Sequence, residues 1–180
     1  KRGWIVDLAI AILHGTVDLF VEFLSPISPY LIKTYSIEPR TIAMLIASIM
    51  LMTALSQIFF AMVLPRVKKQ WLLLYGIVAF VVLPTSLLSF KMNIIGLYLV
   101  FFTVFLANAA YHPFGTALAN RNQSSKTVTS FVSGGIIGGA LGPIFITWWV
   151  GSVGLNKIIF FNLLIFIILQ PILLKVKRNF

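Results

Sequence analysis

The chain has no cysteine and only four acidic residues among 180. The first absence excludes a disulfide framework and any thiolate metal site. The second leaves charged residues at 10% of the chain, against about 25% in an ordinary globular domain, too few to cover a water-facing surface. What fills the chain instead is apolar: 59% of its residues are hydrophobic, which places it in a membrane class. A net charge of +10 would suggest nucleic acid in a soluble domain. Here the basic residues stand at the ends of apolar runs, so the charge reads as membrane topology and no nucleic-acid partner is expected.

Six runs, at about 4–30, 41–64, 71–90, 94–119, 127–150 and 158–174, approach the roughly 20 residues that a bilayer core about 30 Å thick requires. The expected fold is an all-α membrane protein, one bundle over 1–180 with six transmembrane helices. Lys1 and Arg2 before the first run look like the start of a signal peptide. That run is too long for an h-region, lacks a small-residue cleavage site and carries acids, so it reads as a retained span. Short connections make successive helices antiparallel neighbours. Lys1, Arg2, Arg66, Lys68, Lys69, Arg121, Lys126, Lys175, Lys177 and Arg178 then share one side. Lys33, Arg40, Lys91 and Lys157 share the other. The excess predicts that both termini face the cytoplasm, with the chain in the cell (inner) membrane.

Within the first run, "AILHGTVDLFVEFLSP" carries His14, Asp18 and Glu22 at four-residue intervals, one stripe of a helix about 6 Å apart along its axis. A charge at the membrane centre costs about 2.5–3.5 kcal/mol on insertion scales. Two readings remain open. His14 and Asp18 pair for structure while Glu22 reaches the interface, or the stripe lines a wetted cavity and binds protons or a cationic group. Pro26 and Pro29 predict that the outer end of this span bends or unwinds.

In the fourth run, "AYHPFGTALANR" places His112 directly before Pro113, with Gly115 two residues on, and is expected to interrupt the helix there. His112 falls at a depth close to that of His14 and, with Asn108 one turn away, is a candidate for the same cavity. In the fifth run, "SFVSGGIIGGALGPIF" sets Gly134, Gly138 and Gly142 on one face and Gly135 and Gly139 on another, ending in a kink at Pro143. Such ribbons let helices approach closely, inside the bundle and at a rocking interface with another half, two readings that are compatible.

Taken together, these features resemble the N-terminal half of a major facilitator superfamily transporter. "GGIIGGALGP" is similar to that family's antiporter motif, and "HGTVDLFVEFLSPISPYL" with "YHPFGTALA" resembles its fosmidomycin-resistance branch of drug exporters. The resemblance implies that the first and fourth helices line a central cavity and that the fifth faces the opposite half. It also implies a second six-helix half, from further sequence or from a homodimer mate. One departure stands out: "AMVLPRVKKQ" keeps Arg66 of the family's gating loop but lacks its glycine and its aspartate.

The function expected is secondary active transport, a proton-coupled export of a small molecule by alternating access. Asp18, Glu22 and His14 would couple protons, and His112, Asn108, Pro113 and Gly115 would line the substrate cavity. Gly134, Gly138, Gly142, Pro143 and Arg66 would form the moving interface and gate. The alternative is a membrane assembly or regulatory subunit that keeps the bundle without transporting. No cofactor, no metal site and no enzyme chemistry are expected, because neither an H-E-x-x-H set nor a nucleophile–base spacing is present.

Overall fold

The computed structural model describes residues 3–121 and 125–177. Lys1, Arg2 and Arg178, used above for orientation, lie outside them. Seven α-helices follow in order: α1 (Gly3–Val21), α2 (Leu24–Tyr35), α3 (Pro39–Val63), α4 (Gln70–Val82), α5 (Ile94–Asn120), α6 (Ser125–Ser152) and α7 (Ile158–Lys177). Short 3₁₀ turns at Leu64–Arg66, Pro84–Ser89 and Leu155–Lys157 join or extend them. They make six spans long and apolar enough to cross a membrane: Trp4–Tyr35, Pro39–Arg66, Gln70–Ser89, Ile94–Asn120, Ser125–Ser152 and Leu155–Lys177. This is the make-up of a multi-pass membrane protein. Met50, Leu51, Leu55, Ile58 and Phe59 of α3 stand exposed, a patch that suits hydrocarbon and not water.

Span boundaries follow local chemistry. Ser36 takes the left-handed conformation (φ 52°) that ends α2, and Pro39 opens α3 at a position where its missing N–H costs nothing. Asn93 caps α5, its side chain accepting from the Gly96 N–H at 2.9 Å. Gly154, with φ of 96°, makes the reversal between α6 and α7, where a side chain would be strained.

Proline acts differently from the expectation in the first, third and fourth spans. The first span does break, but at Glu22–Phe23 and not at "SPISPY". Pro26 cannot donate to the carbonyl four residues back, that of Glu22, so the gap opens one turn earlier and both prolines sit inside α2. The fourth span is not interrupted: α5 runs unbroken through His112 and Pro113. The fifth is equally continuous through Pro143. One missing N–H in a long, well-packed helix removes a bond without ending the ladder. The third span, expected as one helix, gives way at Pro84 to a 3₁₀ turn. There Asn162 of α7, fully buried, hydrogen-bonds with the hydroxyls of Thr85 and Ser86.

Side-chain contacts sort the span ends into two sets. Arg121 donates to the Gln70 side chain, and the Lys177 ammonium lies 3.9 Å from the centre of the Trp71 ring. These tie together the connections after the second and fourth spans and the end of the sixth. At the opposite end Tyr35 donates to the Phe90 carbonyl, and the Ile159 N–H donates to Ser89. The described residues of the richer basic set therefore gather at one end of the bundle.

The closest helix pair is α1 with α6. A Cβ on Gly134 would strike the backbone of Ala11, one on Gly138 the backbone of Gly15, and one on Gly142 would lie 2.6 Å from the Leu19 carbonyl oxygen. Three successive turns of α6 thus rest on three successive turns of α1 with no side chain between them. The ribbon of Gly134, Gly138 and Gly142 is used inside the bundle. This contact fixes the depth at which α1 presents its polar stripe.

Candidate functional site

His14 is buried, 5% exposed, on the side of α1 that meets α5 and α6. Its imidazole stacks on the ring of Phe131 from α6, centroids 3.9 Å apart and planes 18° apart. The same residue fixes its tautomer: Nδ1 lies 2.6 Å from the Phe131 carbonyl oxygen. A carbonyl only accepts, so Nδ1 carries the hydrogen and donates, and Nε2 is left to present its lone pair or a second proton. Phe131 holds this place because Gly115 of α5 has no side chain. A Cβ there would lie 2.6 Å from the Phe131 ring.

Nε2 of His14 has no hydrogen-bond partner among the described residues, and Asp18 Oδ2 stands 3.3 Å from it. From α5, His112 Nε2 lies 3.5 Å from the other carboxylate oxygen, Oδ1. The two imidazoles meet edge to face with centroids 5.2 Å apart. A carboxylate is thus flanked by two imidazole nitrogens from two helices. Three groups rich in lone pairs repel one another at this range unless a proton or a metal cation lies among them.

The site is neither sealed nor open to its full depth. The side chains of Asp18 and His112 are 21% and 32% exposed, against 7% for His14. Over its buried side stands Gly135 of α6. A Cβ at that position would lie 2.7 Å from Asp18 Oδ2 and 2.8 Å from His14 Nε2. Only glycine lets α6 pass this close to the donor atoms.

The remaining expected residues fall around this centre. Glu22 stands one turn beyond Asp18, exposed, at the gap between α1 and α2. Asn108 is buried one turn from His112, and its carbonyl oxygen has no hydrogen-bond partner among the described residues. Pro113 lines a separate cleft between α3 and α5 with Phe60, Leu64, Gln70 and Arg121. Arg66 is exposed at the 3₁₀ turn after α3 and makes no ion pair among the described residues. Pro143 is half-buried within α6.

Two participants escape the sequence reading. Phe131 stands in "TSFVSG" as one more aromatic in an apolar run, with nothing to mark its carbonyl as the partner of His14. Gly135 is visible as half of a second small-residue ribbon, but its position over Asp18 depends on how α6 is turned against α1. The α1–α6 contact at Gly134 and Gly138 sets that turn. Compared with known protein families, with curated proteins and with solved structures, the chain finds no match in any of the three.

Proposed function

We propose that the chain forms one six-helix half of a secondary active transporter of the major facilitator type, in which the His14–Asp18–His112 centre binds the coupling proton. The carrying observation is the carboxylate of Asp18 held between two imidazole nitrogens of α1 and α5, at 3.3 and 3.5 Å. A lone charge at this depth costs several kcal/mol. Protonating the carboxylate, or an imidazole beside it, changes that cost, so proton occupancy and the preferred arrangement of α1 against α5 are linked. Glu22, exposed one turn away, stands where a proton would pass on its way to or from the centre.

The reading keeps its implied partners: the lipid bilayer, a small-molecule substrate, and a second six-helix half facing the site. Substrate and proton competing for the same carboxylate would give exchange, with the proton gradient driving export. The alternative, a membrane subunit that does not transport, draws support from Arg66, which has no acid partner among the described residues.

A pH jump separates the two without knowledge of the substrate. Proteoliposomes on a solid-supported membrane should give a transient current as protons enter the centre, and Asp18→Asn should abolish it while expressing normally. A wild-type protein with no current, or an Asp18→Asn variant with an undiminished one, contradicts the proposal.

A further inference from the structure

We propose that the same centre takes a divalent transition-metal ion of the zinc class as cargo, held by His14 Nε2, one oxygen of Asp18 and His112 Nε2. That the ion is cargo rests on the transporter reading; that it binds does not.

Three observations carry the inference. First, one donor atom from each of the three residues lies within 4.8 Å of the others, with His14 Nε2 3.3 Å from Asp18 Oδ2 and His112 Nε2 3.5 Å from Oδ1. Ligand atoms around a tetrahedral ion with bonds of about 2.0–2.1 Å stand about 3.3 Å apart, so the set closes on an ion with sub-ångström to ångström movements. Second, the imidazole of His14 is prepared as a ligand. Its other nitrogen donates to the Phe131 carbonyl, the outer-shell contact that orients metal-binding histidines. Its Nε2 is buried without a hydrogen-bond partner among the described residues. Third, Gly135 brings α6 directly against the donor atoms, so the ion would be walled from lipid on that side.

Ligand chemistry selects the ion class. Two imidazoles with one carboxylate suit zinc, cobalt or nickel, whereas calcium and magnesium require mostly oxygen. Three protein ligands leave a fourth position for water, as suits an ion that must leave again. Two of the ligands ride on α1 and one on α5, so any separation of these helices dismantles the set. The carboxylate of Asp18 offsets one charge of the ion, and Glu22 supplies a second about 6 Å further along the axis.

Ion and proton would compete for the same lone pairs. The titratable groups facing the centre are His14, Asp18 and, one turn on, Glu22 from α1, with Tyr111 and His112 from α5. At this level α6 presents only Gly135 and Phe131.

Cobalt(II) titration of the tag-free full chain in detergent tests the site, read by the visible absorption of four-coordinate cobalt. One ion per chain is expected, displaced by zinc. His112→Gln should lower the affinity by about tenfold or more, and Gly135→Ala should weaken binding by displacing His14 and Asp18. Gly139→Ala, where a Cβ meets nothing within 4 Å, should bind as the wild type and controls for folding. No cobalt binding to the wild type, or binding undiminished in both His112→Gln and Gly135→Ala, overturns the proposal. Absent cobalt binding with an intact pH-jump current rejects the metal while leaving proton coupling in place. Bound cobalt without that current retains the site and rejects the coupling.

Discussion

Gly138 of α6 rests directly on the carbonyl of Gly15 in α1, where it has no room for a side chain, and a Cβ on Gly15 would lie 2.8 Å from the Gly134 carbonyl oxygen. One turn of α6 earlier, Gly135 lies over Asp18 and His14. The helix contact and the polar centre therefore share one register, and a change at either is felt at the other.

Bulk on this ribbon should destabilise the bundle according to face. Gly138→Leu drives a side chain into the α1 backbone and should cost about 1–3 kcal/mol or more, as overpacking does elsewhere. Gly139→Ala, one residue on, should stay close to neutral. Thermal unfolding in detergent checks both, and similar melting temperatures for the two variants would show that the α1–α6 contact is not the one described.

Pro113 leaves α5 continuous while depriving the carbonyl of Ala109 of its helical partner. Pro113→Ala restores that N–H, so the bundle should gain about 0.5–1.5 kcal/mol, the net worth of one hydrogen bond. A lower melting temperature for this variant would mean that the proline is supporting the helix and not merely tolerated by it.

The lack of cysteine makes topology directly measurable. If the richer basic end faces the cytoplasm, Lys91→Cys and Lys157→Cys should react with a membrane-impermeant maleimide in intact cells. Lys69→Cys and Lys126→Cys should react only after permeabilisation. The reverse pattern would invert the orientation and, with it, the proposed direction of transport.

The pH dependence of cobalt binding has a definite sign. Metal binds only the deprotonated forms of these ligands. Affinity should therefore fall as the pH is lowered, by up to about tenfold per pH unit for each proton displaced. An affinity flat from neutral to acidic pH would place the ion on groups other than His14, Asp18 and His112.

How much of this was legible in the amino-acid sequence depends on the range of the interaction. The spans follow from hydropathy and length, and the structure extends the first from Tyr30 to Tyr35 and the sixth to Lys177. The neighbourhood of His14 and Asp18 follows from helical spacing alone. The depth of His112 was legible too, but its contact with Asp18 was not, since it depends on how α5 is rotated toward α1. The expectation of no metal site rests on motifs within one segment, such as H-E-x-x-H. It does not address the cluster of His14, Asp18 and His112, whose last member is 94 positions from the second, on another helix. Pro26 misled in a smaller way: a proline weakens the helix at the carbonyl one turn before it, so the break falls at Glu22–Phe23.

The central claim is that the centre lies on a path that water reaches from each face of the membrane in turn. Its most direct measurement places the chain's single cysteine there, as His112→Cys, and exposes right-side-out and inside-out vesicles separately to the impermeant maleimide. Labelling in both orientations is the predicted result; labelling in one orientation only, or in neither, would contradict the account.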